Sequence, residues 1–160
     1  MAVAIIWALN RADGDVVSDG SEPPVTDVPS ASPDTAGWGP LAVEEPDGAI
    51  MEARISGRLS ITDDCVFLVP LDGTDVLLLW PSDRTFWDEL NRTITFVNTD
   101  GSSIDLRDGM SLRTGGGGFA EAEADISIEE WLDQRSWVSA PADGCALSEA
   151  WVIGSGLEAE

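Results

Sequence analysis

An all-β domain is what this 160-residue sequence predicts: a small barrel of OB-like or related topology with one short helix, preceded by a disordered linker. Three observations carry that prediction. Short apolar runs are separated by Asp-Gly turns, a single helix signal stands near residue 128, and six of the nine prolines fall between residues 23 and 46, ahead of the strands.

The elements follow in order. Over residues 52–61, Ala53, Ile55, Gly57, Leu59 and Ile61 share one phase while Glu52, Arg54, Ser56, Arg58 and Ser60 share the other, the period of a half-buried strand. Asp63 and Asp64 turn the chain. Residues 65–71 and 76–80 are continuous apolar runs separated by Asp72, Gly73, Thr74 and Asp75, which reads as a hairpin. Pro81 stops the second run, and residues 82–90, with Phe86 and Trp87, read as a loop or one helical turn over a barrel end. Strands resume at residues 93–97, 103–106 and, after Asp108-Gly109, at 110–113.

Four glycines at 115–118 then mark a strand end where backbones approach closely. A phosphate cradle is excluded, because neither Gly-Lys-Ser/Thr nor a helix follows. Ser127 and Glu130 make a capping box, and Ile128, Trp131 and Leu132 recur at helical spacing, which predicts a helix over residues 128–134. Residues 151–153 form the last strand. The barrel domain therefore covers residues 49–157, with an acidic, Pro-rich linker at 11–48 and an apolar stub at 1–10.

Charge and missing residue types exclude whole classes of function. Thirty acidic residues face eight basic ones, all Arg, for a net charge of −22. Nucleic acid is excluded as a partner, since phosphate binding needs a basic footprint. The chain has no His, Lys or Tyr, so imidazole acid/base catalysis, a Schiff base and a Tyr nucleophile are unavailable to it. No cofactor or metal is expected.

The stub, residues 2–9, is uninterruptedly apolar but shorter than the roughly 20 residues that span a bilayer. It reads as the distal end of a signal or anchor segment begun upstream, or alternatively as a strand or apolar end docked on the domain. Stub, tether and domain together have the layout of a protein displayed at a membrane. A cytosolic protein with an inert tail is the other reading.

Gly57, Cys65, the run into Trp80-Pro81, Gly101, Asp108-Gly109, Gly115 to Gly117, Cys145 and Trp151-Val152 follow an order that resembles a group of bacterial exported domains. Many of these are actinobacterial and many are lipoprotein-type. The resemblance covers residues 49–155 and implies an extracytoplasmic place at the cell envelope. It implies no activity. No lipid-modified Cys precedes the linker, which departs from that pattern.

Candidate chemistry is sparse. Asp34, Thr35, Ala36 and Gly37 imitate an aspartic-protease signature inside the linker, where no second Asp is held nearby. Asp63/Asp64 and Glu129/Glu130 read as turn and surface carboxylates rather than a glycosidase pair. Asp100, Asp105 and Asp108 offer oxygens to calcium without EF-hand spacing. Trp80, Phe86 and Trp87 are the candidate ligand- or partner-binding residues, since aromatics beside a strand end can stack on a sugar or grip a peptide. Cys65 and Cys145 are either buried thiols or one long-range disulfide, and export selects the bond. The reading is a noncatalytic binding module with a protein or glycan partner. The alternatives are a metal-ion or glycan-sensing ectodomain, or an acidic intracellular protein of a salt-adapted organism.

Overall fold

The computed structural model describes residues 37–46, 48, 51, 53–145 and 148–160. Ten strands and one α-helix, with a 3-10 turn at Glu121–Glu123, follow along these residues. They are β1 (Ala42–Glu44), β2 (Ala53–Ile61), β3 (Val66–Val69), β4 (Val76–Pro81), β5 (Thr85–Asp88), β6 (Thr93–Val97), β7 (Ser103–Leu106), β8 (Ser111–Ala120), α1 (Ile128–Leu132), β9 (Trp137–Ser139) and β10 (Glu149–Ala159). Among the described residues no helix is long and apolar enough to cross a membrane.

β2, β3 and β4 form an antiparallel meander, β4 runs parallel to β10, and β8 lies antiparallel between β10 and β2. These pairings close five strands into a barrel. Numbered in chain order the barrel strands run 1-2-3-5-4, a five-stranded Greek-key barrel of OB-like topology. β4 is its keystone. Val76, Leu78 and Trp80 point into the barrel core, whereas Leu77 and Leu79 join a second cluster with Cys65, Cys145, Ile128, Leu132, Ala150 and Val152. Burial on both faces explains why 76–80 reads as an unbroken apolar run instead of an alternation.

The second cluster lies on the outside of the barrel wall and is covered by α1. Ser127 caps the helix by accepting from the Glu130 amide at 3.2 Å. Cys65 and Cys145 are disulfide-bonded with Cα atoms 5.6 Å apart, fastening the β2–β3 turn to the approach of β10.

Three sequence expectations are corrected. Residues 82–90 are neither loop nor helical turn: they contain β5, the first strand of an antiparallel β5-β6-β7 sheet. Ile94, Phe96 and Leu106 of that sheet are fully buried and seal one barrel end, with Phe96 edge-on to Trp80 at 6.2 Å. The boundary at Ala49 is also too late. Leu41, Ala42 and Val43 are buried, and β1 pairs with β4 on one side and β9 on the other, so part of the 11–48 segment belongs to the domain. Residues 1–36 lie outside the described residues, and the stub and most of the linker fall there.

The third correction concerns the glycines, which occupy the interior of β8, not its end. Gly115 to Gly118 pair with β10, and Gly115 and Gly116 also pair with β2. The close approach is real: a Cβ on Gly116 would fall on the Val152 carbonyl oxygen and 2.7 Å from the Trp151 indole nitrogen, and one on Gly118 would lie 2.7 Å from Trp151 Cε3. Here β10 shifts register between Ile153 and Gly156, a bulge that bends the strand around the barrel. Gly116→Ala is therefore expected to destabilise the domain by about 2–3 kcal/mol in urea unfolding, although alanine is ordinarily the better strand residue. An unchanged midpoint would contradict this geometry.

β1 also carries a buried charge. Glu44, 4% exposed at its side chain, accepts from Arg135 Nε at 2.8 Å and pairs with Nη2 at 2.7 Å. The Arg135 guanidinium lies 5.0 Å over Trp131, which stacks on Phe119. The ion pair thus ties β1 to the segment following α1. Glu44→Gln should cost about 2–3 kcal/mol by removing the charge that compensates Arg135, a value below that of a fully buried pair because Arg135 retains some exposure. Thermal unfolding of the single variant and of Glu44→Gln/Arg135→Met checks it. The double variant should recover part of the loss.

Candidate binding cleft

After Leu79 and Val152 the parallel strands β4 and β10 separate. β4 ends at Pro81 and turns into β5, while β10 enters its bulge. The separation opens a cleft of about 550 Å³, walled by Met51, Pro81, Val152 and Ile153, with Asp83, Arg84 and Ser155 among its polar residues. Glycine at position 154 brings bare backbone to the wall.

Arg84 organises this region. Its Nη2 donates to the Gly154 carbonyl at 2.8 Å, its Nε stands 3.7 Å from the Asp83 carboxylate, and its Cζ lies 5.3 Å from the Phe96 ring centre. Nη1 is buried without a hydrogen-bond partner among the described residues. On the neighbouring turn, the Thr99 hydroxyl donates to the Ser155 carbonyl at 2.9 Å, and the Asn98 amide both accepts from the Leu157 N–H and donates to its carbonyl. These side chains cap the edge of β10 where β4 has left it. Hydrogen bonds from the Ser102 hydroxyl and then its amide hold the Asp100 carboxyl below its ordinary 3.8, so the turn is tied above the ordinary carboxylate range and loosens as pH falls through the lowered value. An NMR titration should place its midpoint below 3.8.

The aromatic residues singled out by sequence do not converge. Trp80 is fully buried in the barrel and offers no surface to a ligand. Phe86 and Trp87 are adjacent on a strand and face opposite ways: Phe86 is 52% exposed, while Trp87 is half-buried against the core with Gly39 beneath its indole. Sequence proximity around Pro81 is broken by strand alternation. The cleft residues Met51, Arg84 and Ile153 belong to no motif. The one local hint was glycine at 154 and 156 inside an apolar strand, a bulge signal.

Several carboxylates considered for metal or catalysis are engaged in turns and pairs. Asp105 accepts from the Thr95 hydroxyl, Asp108 from the Ile61 amide, Asp100 from Ser102, and Asp63 pairs with Arg92 at 3.1 Å. Among the described residues no group of three or more metal-ligating side chains occurs. Glu129 and Glu130 sit exposed in the first turn of α1. No protein-family model, curated protein or solved structure matches the chain.

Proposed function

We propose that this protein is a noncatalytic binding module of the extracytoplasmic space, and that the cleft between β4 and β10 receives a protein or glycan partner. The observation that carries the reading is how the cleft's charged groups are used. Arg84 is engaged by the Gly154 carbonyl, and Glu44 by Arg135, so both hold walls in place. What faces a ligand is apolar surface with backbone and hydroxyl groups and one half-exposed carboxylate, Asp83, beside it, the composition of a recognition site. A chain without His, Lys or Tyr has few other means of acid/base chemistry at neutral pH.

The compartment rests on the Cys65–Cys145 bond, which suits an oxidising space. The resemblance to exported, lipoprotein-type domains points the same way, and envelope anchoring would follow from the apolar stub. An acidic protein of a salt-rich cytoplasm would explain the charge equally well, and it predicts two free thiols in protein recovered from cells.

The test is NMR titration of the labelled protein with panels of cell-wall glycans and peptides, alongside ester, peptide and glycoside turnover assays. Shifts confined to Thr99 and residues 153–155, abolished by Ser155→Trp with the fold intact, are expected. Turnover lost on one Asp or Glu substitution would overturn the noncatalytic reading.

A further inference from the structure

β2 leaves one backbone edge open. Residues 53–58 pair with β8 on one side, but β3 pairs with β2 only from Arg58 onward. Between Ala53 and Gly57 the other edge has no strand partner among the described residues.

The same stretch carries an uncommon charge. Arg84, Arg92, Arg113 and Arg135 each hold a carboxylate. Arg54, Arg58 and Arg107 are exposed and have no ion pair among the described residues, and the first two stand on this one strand, in a chain with thirty acidic residues available. Arg54 and Arg58 share the outward phase of β2 with Ser56, which pairs across to Arg113. Glu160 pairs with Arg113 at 2.9 Å and reaches the same region from β10, two strands away from the open edge. Beside the edge lies a hollow of about 320 Å³, bordered by Gly57, Val69 and Leu71 and, at its far side, by Glu160, whose charge Arg113 holds; Leu71 is fully exposed.

We propose that this edge accepts an extended acidic segment of another protein as an added strand. The open backbone selects a polypeptide, and the two unpaired arginines select carboxylates. Val69 already stands opposite Arg58, so the incoming strand lies against residues 53–57, with one carboxylate opposite Arg54, a second near its end that reaches Arg58 on the diagonal, and an apolar residue between them toward the Leu71 hollow. The net charge of −22 does not forbid this, because charges beyond about 8 Å are screened at physiological salt. A second copy is the wrong occupant: antiparallel pairing of β2 with itself about Ser56 would set Arg54 of one copy against Arg58 of the other.

The probe is a short capped peptide of alternating glutamate and valine, followed by amide exchange and calorimetry on the full chain. Binding with new exchange protection at residues 53–57 is expected, weakened about tenfold by Arg54→Ser/Arg58→Ser and restored in part by the double Lys variant. Circular dichroism controls for folding. A lysine–valine peptide and a glutamate–valine peptide N-methylated at alternate residues should not bind.

Four outcomes would overturn the proposal: no protection at 53–57, binding indifferent to the double Ser variant, equal binding of the N-methylated peptide, or equal displacement by inorganic polyphosphate, which marks a plain anion patch. A fifth is a double Ser variant that dimerises while the wild-type chain ignores the peptide. In that case the arginines only guard the edge.

Discussion

A chain beginning at Gly37 is expected to keep the folded domain, whereas one beginning at Ala49 is expected to lose it. The difference is β1 and the residue before it. Leu41 and Val43 are at most 1% exposed, and their burial is worth about 1.5–3 kcal/mol each. Removing β1 also strips a parallel partner from Leu79, Trp80 and Pro81, leaves β9 without its strand neighbour among the described residues, and takes Glu44 away from Arg135. The sum is on the order of 5 kcal/mol or more, comparable with the 5–15 kcal/mol by which domains are stable. Urea unfolding of the two truncated chains measures it, with Leu41→Ala/Val43→Ala in the full chain as an intermediate case. Equal midpoints for the two truncations would mean that β1 is decoration on an independently stable barrel.

What was legible in the sequence was whatever a single element decides locally. The continuous run at 76–80 announced a strand buried on both faces, the Ser127–Glu130 spacing announced α1, and the alternation over 53–61 announced β2. What escaped was decided by neighbours distant in sequence. β1 is three residues between Pro40 and Pro46, and its acidic end is tolerable only because Arg135 meets it. β5 was hidden because Phe86 and Trp87 look like an apolar pair until pleating separates them. The glycines of β8 read as punctuation, although their reason is the Trp151 indole and the bulge of β10 across the barrel. The candidate cleft was least legible of all. It arises where two parallel strands part company, and its organising residue, Arg84, follows Asp83 in what reads as an ordinary polar turn.

The Cys65→Ser/Cys145→Ser variant is expected to lose about 4 kcal/mol of stability, the second large effect. The bonded residues are 80 apart in sequence, and closing a loop of that size restricts the unfolded chain by about that amount in the chain-entropy account, whose physical origin is model-dependent. The folded state adds a local argument. Cys65 and Cys145 are both buried in the cluster that α1 seals against the outer face of β4. Two serines there would place hydroxyls among Leu77, Leu79, Ile128 and Leu132, adding a desolvation cost unless each hydroxyl finds an acceptor. Cys65→Ala/Cys145→Ala separates the contributions, since it removes the cross-link without burying hydroxyls and should lie between wild type and the serine variant. Hydrogen exchange should then show α1 and the chain leading into β10 opening before β2, β3 and β8, because only the former depend on the bond to reach the barrel wall. A loss below about 1 kcal/mol, or uniform loosening of the whole barrel, would mean that the contacts of α1 and the Glu44–Arg135 pair hold this segment without the bond.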